Sequence, residues 1–267
     1  AVESAIADAL AVDGPANGAA ATGAPVAAEL GTVLSDARLA EDYGASIEAA
    51  IEGRRLDGLR VVVDCANGAV AAIAPEVLVD LGAEVVVMSA EPDGMNINAG
   101  CGSTHPAPLQ EAVVEEEAAL GLAFDGDADR LVAVDEQGRL VDGDQILALC
   151  ATDLRNRGQL HHDTVVVTVM SNLGLRQAME RDGISVVETP VGDRHVLRAM
   201  TDGGFSLGGE QSGHLVFGDL ATTGDGLLSG VLLADLLVRS GRPLGALVDA
   251  AMTRPSSGTC SPAFAVP

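Results

Sequence analysis

The sequence predicts an α/β fold, arranged as two similar three-layer α/β/α domains with mixed sheets. Three observations support this prediction. Short runs rich in Val and Leu alternate with helical stretches of about 10 to 15 residues, as in βαβ units. This alternation occurs twice and restarts near residue 142. Gly138 lies in a short turn between two apolar runs, which predicts an antiparallel hairpin at one side of the first sheet.

The first round begins with a helical stretch at 36–53. The turn at 64–68 leads into a helix, and a loop rich in Gly and Asn occupies 91–105. Later helices are predicted at 75–81 and 106–119, and strands at 59–63, 84–88, 120–124, 131–134 and 139–141.

The second round repeats the pattern and ends with two helices. Its predicted helices are 144–157, 173–182, 192–201, 225–239 and 244–252, and its strands are 164–169, 184–188, 205–207 and 214–217. The predicted domains are therefore 38–141 and 142–252. Residues 1–37 are interpreted as a connector from a first domain missing from this sequence, and 253–267 as an irregular tail.

Composition excludes several functions. The formal net charge is −24, and all 15 basic residues are Arg, so a lysine nucleophile or a P-loop lysine is excluded. So acidic a chain is not expected to bind nucleic acid or anionic membranes. No apolar run is long enough to span a bilayer, and the four scattered cysteines fit a reduced, cytoplasmic protein.

An acidic loop follows the apolar run at 120–124. Asp125, Asp127 and Asp129 are spaced by two, and Gly126 and Ala128 allow a tight turn that brings the carboxylates together. Carboxylate oxygens favour a hard cation, so a Mg²⁺ site is predicted here. A solvated acidic turn and a calcium-binding EF-hand are alternatives. The EF-hand is disfavoured because Arg130 stands where that loop requires glycine.

A second loop is flanked by glycines and runs from Gly208 to His214. Glu210 and Ser212 lie two residues apart, so in an extended stretch they share one face and can hold neighbouring sugar hydroxyls. Gly209 lets the backbone approach a ligand. The alternative is a glycine-rich hairpin with polar tips.

A third stretch places Arg194 at the start of a predicted helix, where it could meet a phosphate. In the alternative, Asp193 only caps the helix and Arg194 is a surface charge. The remaining histidines are expected to be structural or exposed: His105, His161, His162 and His195.

Together these motifs resemble the α-D-phosphohexomutase family. The loop at 125–130 resembles its metal-binding loop and that at 209–214 its sugar-specificity loop. With glutamine at position 211, this loop is most similar to that of the phosphoglucosamine mutase branch. Supporting stretches occur at 61–68, 96–105, 141–145 and 170–172, and the resemblance spans about 38–252.

The resemblance implies an intramolecular phosphotransferase that moves phosphate between the C1 and C6 hydroxyls of a hexose, using a phosphoserine and a bisphosphate intermediate. It implies Mg²⁺ held by Asp125, Asp127 and Asp129. A phosphosugar would be held by Gly209, Glu210, Ser212 and His214, and Arg130 and Arg194 would be catalytic.

This sequence departs from the family pattern in ways that bear on activity. It contains no Ser-His-Asn loop and no fourth domain with a phosphate-gripping loop, and Pro190 stands where many relatives have a basic residue. The isolated chain is therefore expected to be inactive, and another chain that supplies the missing family domains in trans is an expected partner. A glucose or mannose phosphate mutase fragment and a non-catalytic sugar-phosphate module are the alternatives.

Overall fold

The computed structural model describes Asp36 and residues 38–252. The predicted connector at 1–37, apart from Asp36, and the predicted tail at 253–267 lie outside the described residues. The domain boundaries as a whole stay a prediction. Within the described part, no helix has the length and apolar character needed to cross a membrane.

The described elements alternate as the sequence predicts. The helices are α1 Arg38–Ala49, α2 Ala74–Asp80, α3 Ala107–Glu115, α4 Gly143–Asn156, α5 Leu173–Arg181, α6 Asp193–Gly203, α7 Gly226–Ser240 and α8 Leu244–Ala251, with 3-10 turns at Ala69–Ala72 and His161–Asp163. The strands are β1 Arg60–Asp64, β2 Glu84–Met88, β3 Leu120–Phe124, β4 Leu131–Asp135, β5 Leu140–Val141, β6 Thr164–Thr168, β7 Ser185–Thr189, β8 Leu207–Gly209 and β9 Leu215–Phe217.

Two mixed sheets share one plan, which confirms the predicted fold class. The first has the order β2-β1-β3-β4-β5 and the second β7-β6-β8-β9. In each, three parallel strands are followed by an antiparallel partner, β4 on β3 and β9 on β8. The loops that follow β3 and β8 therefore lie at equivalent edges of the two sheets, beyond the carboxyl ends of the strands, where ligands bind in such folds.

The packing of the helices gives each sheet two covered faces. A small cluster under α3 includes Leu109 and Val113, and another under α6 includes Val196 and Met200. The opposite faces of both sheets belong to one continuous core, which α4 and α7 help to build. Because α7 contacts β3 and β4 of the first sheet, the second half of the chain packs directly on the first.

Several elements differ from their predicted bounds, among them the first helix, which is Arg38–Ala49 rather than 36–53. Three of the differences have a local reason. The third helix ends at Glu115 rather than near 119, because Glu117 adopts a left-handed backbone with φ of 50°. The helix predicted at 192–201 runs to Gly203 and ends at left-handed Gly204. Strand β8 lies at Leu207–Gly209 rather than 205–207. A side chain at Gly208 would collide with the sulfur of Met200, so glycine allows this strand to pack under α6.

Candidate metal- and sugar-binding site

The acidic loop is fixed by its backbone directly after β3. Ala128 N–H donates to the Asp125 carbonyl at 3.1 Å, and Ala128 has a φ of 58°. The Gly126 carbonyl accepts from Ala69 N–H at 2.9 Å. A Cβ at Gly68 would lie 2.8 Å from Gly126 Cα, so glycine is required where the β1 turn meets this loop. The backbone of the loop is therefore held in a tight turn that can bring its side chains together.

The three aspartates do converge. One carboxylate oxygen from each of Asp125, Asp127 and Asp129 lies within 4.8 Å of the others. Asp125 is buried, Asp129 partly buried and Asp127 exposed, so the cluster opens to solvent on one side. Asp129 Oδ1 is buried and has no hydrogen-bond partner among the described residues. An orphaned buried carboxylate oxygen beside two further carboxylates fits a hard divalent cation.

The electrostatics of the cluster agree with that fit. The pKa of Asp125 is raised to about 6, first by burial and then by the charges of Asp129 and Asp127, while the Arg130 N–H opposes the rise. Repulsion of this kind is costly unless a cation neutralises it.

Arg130 lies beside the acidic cluster. Its backbone N–H donates to Asp125 Oδ1 at 3.2 Å, and its Nε lies 3.7 Å from both Asp125 Oδ2 and Asp129 Oδ1. These charged contacts are too long for strong hydrogen bonds, and the side chain remains 46% exposed. Arg130 is thus free to reorient toward an anion that enters the site.

The glycine-rich loop connects β8 to β9 as a tight turn. Glu210 N–H donates to the His214 carbonyl at 3.0 Å and Gly213 N–H donates to the Glu210 carbonyl at 3.0 Å. Gly213 has a φ of +95°, and a Cβ there would lie 2.8 Å from the Leu131 carbonyl carbon. Glycine is therefore needed both for the turn and for close approach to β4.

The side chains of Glu210 and Ser212 share one face of this loop, as their spacing predicts. Ser212 Oγ donates to Glu210 Oε2 at 3.4 Å, and Glu210 Oε1 accepts from Gly192 N–H at 2.9 Å. Gly192 is the residue before α6, so the carboxylate lies at the positive end of that helix. The loop thereby presents a carboxylate and a hydroxyl side by side, a pair suited to sugar hydroxyls.

His214 joins the two loops. Its Nδ1 lies 3.1 Å from Asp129 Oδ2, and its Nε2 accepts from Gly224 N–H at 3.2 Å. Because a backbone N–H can only donate, Nε2 is unprotonated and the ring proton lies on Nδ1, facing Asp129. His214 is 3% exposed. In this structure it therefore orients a carboxylate of the acidic cluster, although the sequence placed it with the sugar-binding residues.

A backbone bond reinforces that junction, because Leu131 N–H donates to the Gly213 carbonyl at 3.0 Å. A second bond, from Gly226 N–H to the Ala128 carbonyl at 2.8 Å, holds the acidic loop on the start of α7. Two motifs about 80 residues apart in sequence thus form one site.

Arg194 lies at the start of α6, close in sequence to the Gly192 amide that binds Glu210. Its side chain is exposed and forms no ion pair within the part of the chain that the structure describes. Asp193 Oδ1 accepts from the Arg194 N–H at 2.6 Å, so Asp193 interacts with the first turn of the helix. Arg194 is therefore available to a phosphate, as expected for a binding group at a helix N-terminus.

Two of the other histidines contact groups outside these loops. His161 Nε2 lies 3.4 Å from Asp219 Oδ2, and His162 contacts Phe205 edge-on. Gly192 and Gly143 also contribute, because their amides bind the sugar-binding loop. The sequence included Gly192 in the stretch that contains Arg194 and Gly143 in the stretch 141–145, but it gave neither glycine a role.

Comparisons with known proteins agree with this geometry. Residues 41–138 match the α/β/α domain II of phosphoglucomutase/phosphomannomutase, and residues 142–254 match its α/β/α domain III. A phosphoglucosamine mutase of Symbiobacterium thermophilum is 56% identical over 223 residues, covering 84% of this chain and 49% of the relative. That of Frankia alni is 55% identical over 230 residues, covering 86% and 50%.

Solved structures show the same fold. A phosphoglucomutase/phosphomannomutase family protein of Burkholderia thailandensis aligns with a TM-score of 0.71 and 29% identity, covering 82% of this chain and 47% of that one. An N-acetylphosphoglucosamine mutase of Aspergillus fumigatus, in complex with GlcNAc-6P and magnesium, aligns with a TM-score of 0.64 and 22% identity, covering 80% and 49%.

The chain spans about half the length of the curated relatives it matches. The converged aspartates, the adjoining sugar-type loop and these matches lead to one conclusion: the chain belongs to the α-D-phosphohexomutase family and carries its central α/β/α domains II and III.

Proposed function

We propose that this chain carries the metal-binding and sugar-binding loops of a phosphoglucosamine mutase-like enzyme, which interconverts glucosamine 6-phosphate and glucosamine 1-phosphate. The strongest support is that the acidic cluster and the sugar-binding loop are in direct contact. They are joined by the Asp129–His214 contact at 3.1 Å and by the Leu131–Gly213 hydrogen bond at 3.0 Å. Phosphoryl transfer to a sugar needs those two functions side by side.

Each residue has a role in this proposal. Asp125, Asp127 and Asp129 would hold Mg²⁺, which supplies neutralisation of negative charge during phosphoryl transfer. Glu210 and Ser212 hold sugar hydroxyls. Gly209, which is buried in β8, and Gly213 let the loop pack closely on the His214 and Leu131 backbones, so neither glycine faces the ligand. Arg130 and Arg194 provide the cationic groups that meet phosphate, because no lysine is present in the sequence. His214 keeps the Asp129 carboxylate oriented.

The chemistry of the full reaction requires groups that this sequence does not contain. No Ser-His-Asn loop occurs in it, so no residue here is proposed to donate phosphate. We expect the isolated chain to lack mutase turnover and to gain it only with a chain that supplies the serine loop and the phosphate-gripping domain.

The expected setting is cytoplasmic, with a phosphosugar as the partner molecule and a place in cell-wall precursor synthesis. The charge of −24 disfavours nucleic acid and anionic membrane surfaces. Cys65, Cys101 and Cys150 are buried free thiols, which agrees with a reducing compartment.

Binding and turnover assays of the purified chain test this function. With Mg²⁺ present, glucosamine 6-phosphate should shift the amide resonances of residues 209–214, and more strongly than glucose or mannose 6-phosphate. Turnover of glucosamine 6-phosphate, with a trace of bisphosphate primer, should be absent. A stronger response to glucose or mannose 6-phosphate would indicate the other branch of the family. No shift at 209–214 with any of these sugars, or turnover by the isolated chain, would contradict the proposal.

A further inference from the structure

The sugar-binding loop rests directly on the N-terminus of α4. Gly143, the first residue of that helix, donates its N–H to the Gln211 carbonyl at 3.1 Å. A Cβ on Gly143 would lie 2.6 Å from Gly213 N and 2.8 Å from Gln211 O, and both are backbone atoms that cannot swing away. The first turn of α4 therefore supports the loop from beneath at van der Waals distance.

The side chain before Gly143 reaches the same loop. Asp142 is the N-cap of α4, where its Oδ1 accepts from Gln145 N–H at 3.0 Å and its own N–H donates to Gln145 Oε1 at 3.0 Å. The Gln211 side chain lies close enough to the Asp142 carboxylate to favour its charged form. Burial raises the pKa of Asp142, and the Gln145 N–H and the Gln211 side chain oppose part of that rise.

Gln211 thus differs from its two neighbours in the loop. Glu210 and Ser212 share one face, where they bind each other and the Gly192 amide. Gln211 lies between them in the turn, and its carbonyl accepts from Gly143 N–H while its side chain interacts with Asp142 at the start of α4. Gln211 is therefore held by α4, whereas Glu210 and Ser212 bind each other and the Gly192 amide.

We propose that Asp142 and Gly143 are positioning residues, which hold Gln211 and thereby set where Glu210 and Ser212 stand for the sugar. Gln211 then influences sugar choice through the position of the loop rather than by touching the sugar. This inference rests on the proposed function for its sugar, but the loop support itself can be measured without any ligand.

Exchanging the carboxylate and the amide between positions 142 and 211 tests the inference. Gln211→Glu places a second carboxylate against Asp142. Gln211→Glu should lower the hydrogen-exchange protection of the Gly143 and Gly213 amides about 10-fold, because repulsion between the two carboxylates weakens the backbone bonds that hold the loop on α4. Its affinity for glucosamine 6-phosphate should fall by a similar factor. The double variant Asp142→Asn/Gln211→Glu restores an amide–carboxylate pair in reversed order, and asparagine remains a good N-cap.

The double variant should therefore return both quantities to within about 3-fold of the wild type, a rescue that general damage to the fold would not give. Loss of sugar affinity in Gln211→Glu with unchanged Gly143 and Gly213 protection would overturn the inference, because Gln211 would then act on the sugar directly. Failure of the double variant to recover protection would overturn it as well. If the wild type bound no phosphosugar, the proposed function would fail while the exchange data still decided the inference.

A steric variant provides an independent test. Gly143→Ala should push the loop off α4 and reduce protection of the Leu131 amide, which bonds to Gly213. Gly44→Ala in α1 is the matched control, since its Cβ would lie an ordinary 3.4 Å from a Val77 methyl group. Equal protection of the Leu131 amide in both variants would show that α4 does not support the loop.

Discussion

Replacing Asp125 by asparagine is expected to stabilise the metal-free chain while abolishing its response to Mg²⁺. Burial, followed by the charges of Asp129 and Asp127, raises the pKa of Asp125 from 3.8 to about 6. At about 1.4 kcal/mol per pKa unit, the ionised group costs the fold about 3 kcal/mol at neutral pH. The asparagine oxygen can still accept from the Arg130 N–H, which lies 3.2 Å from Asp125 Oδ1.

Asparagine removes this cost only in part, because an amide cannot replace every interaction of the carboxylate. We therefore expect Asp125→Asn to increase the free energy of unfolding by about 1–3 kcal/mol. For the wild type, 10 mM Mg²⁺ should add about 1.4 kcal/mol if the Kd is about 1 mM. The variant should gain far less. Because the pKa of Asp125 is higher in the folded than in the unfolded chain, the cost of ionising Asp125 lowers stability fully above about pH 6. This cost disappears as the pH falls below about 4, where Asp125 is protonated in both states.

Urea unfolding at pH 7.5, with either EDTA or Mg²⁺, measures both effects. Asp80→Asn is the matched control, because Asp80 is exposed at the end of α2 and the substitution removes the same charge. The reasoning is refuted if Asp125→Asn destabilises the metal-free chain, or if Mg²⁺ stabilises the variant as much as the wild type.

Three further predictions follow from the geometry. Gly213→Ala should lower the free energy of unfolding by about 1–3 kcal/mol, since φ is +95° and the new Cβ meets the Leu131 carbonyl; a urea midpoint equal to that of the wild type would contradict it. Asp144→Asn should stabilise the chain at pH 7 by up to about 3 kcal/mol, because burial raises the pKa of Asp144 to about 6. That gain should disappear as the pH falls below about 4, and a gain that does not change with pH in urea unfolding experiments would contradict this prediction. His214→Gln should weaken Mg²⁺ binding about 10-fold by releasing Asp129, measured calorimetrically, whereas an unchanged Kd would mean that the 3.1 Å contact does not orient the carboxylate.

Local features of the fold could be predicted because their causes are local in the sequence. The apolar run at 120–124 followed by alternating aspartates placed a strand and a converging acidic loop correctly. The exact extent of β8 could not be predicted, because Gly208 belongs to the strand through its pairing with Val166 of β6 and Val216 of β9. The pattern of apolar residues within one segment does not show which strands that segment will pair with.

Long-range contacts could not be predicted by the same reasoning. His214 and Asp129 are separated by 85 residues, and nothing in the spacing of either motif shows that a ring nitrogen will meet that carboxylate. The support of the loop by Gly143 likewise depends on where α4 packs. Family resemblance named both loops, but it did not indicate which atoms connect them.

We propose that the acidic cluster and the sugar-binding loop form one divalent-cation site. Titration of the isotope-labelled chain with Mn²⁺, followed by paramagnetic broadening of its amide resonances, would locate that site. Broadening should appear first at residues 125–130 and at Gly213 and His214, Mg²⁺ should reverse it, and Asp127→Asn should remove it. Broadening spread evenly over other acidic surfaces, with residues 125–130 and 213–214 unaffected, would show that no such site exists.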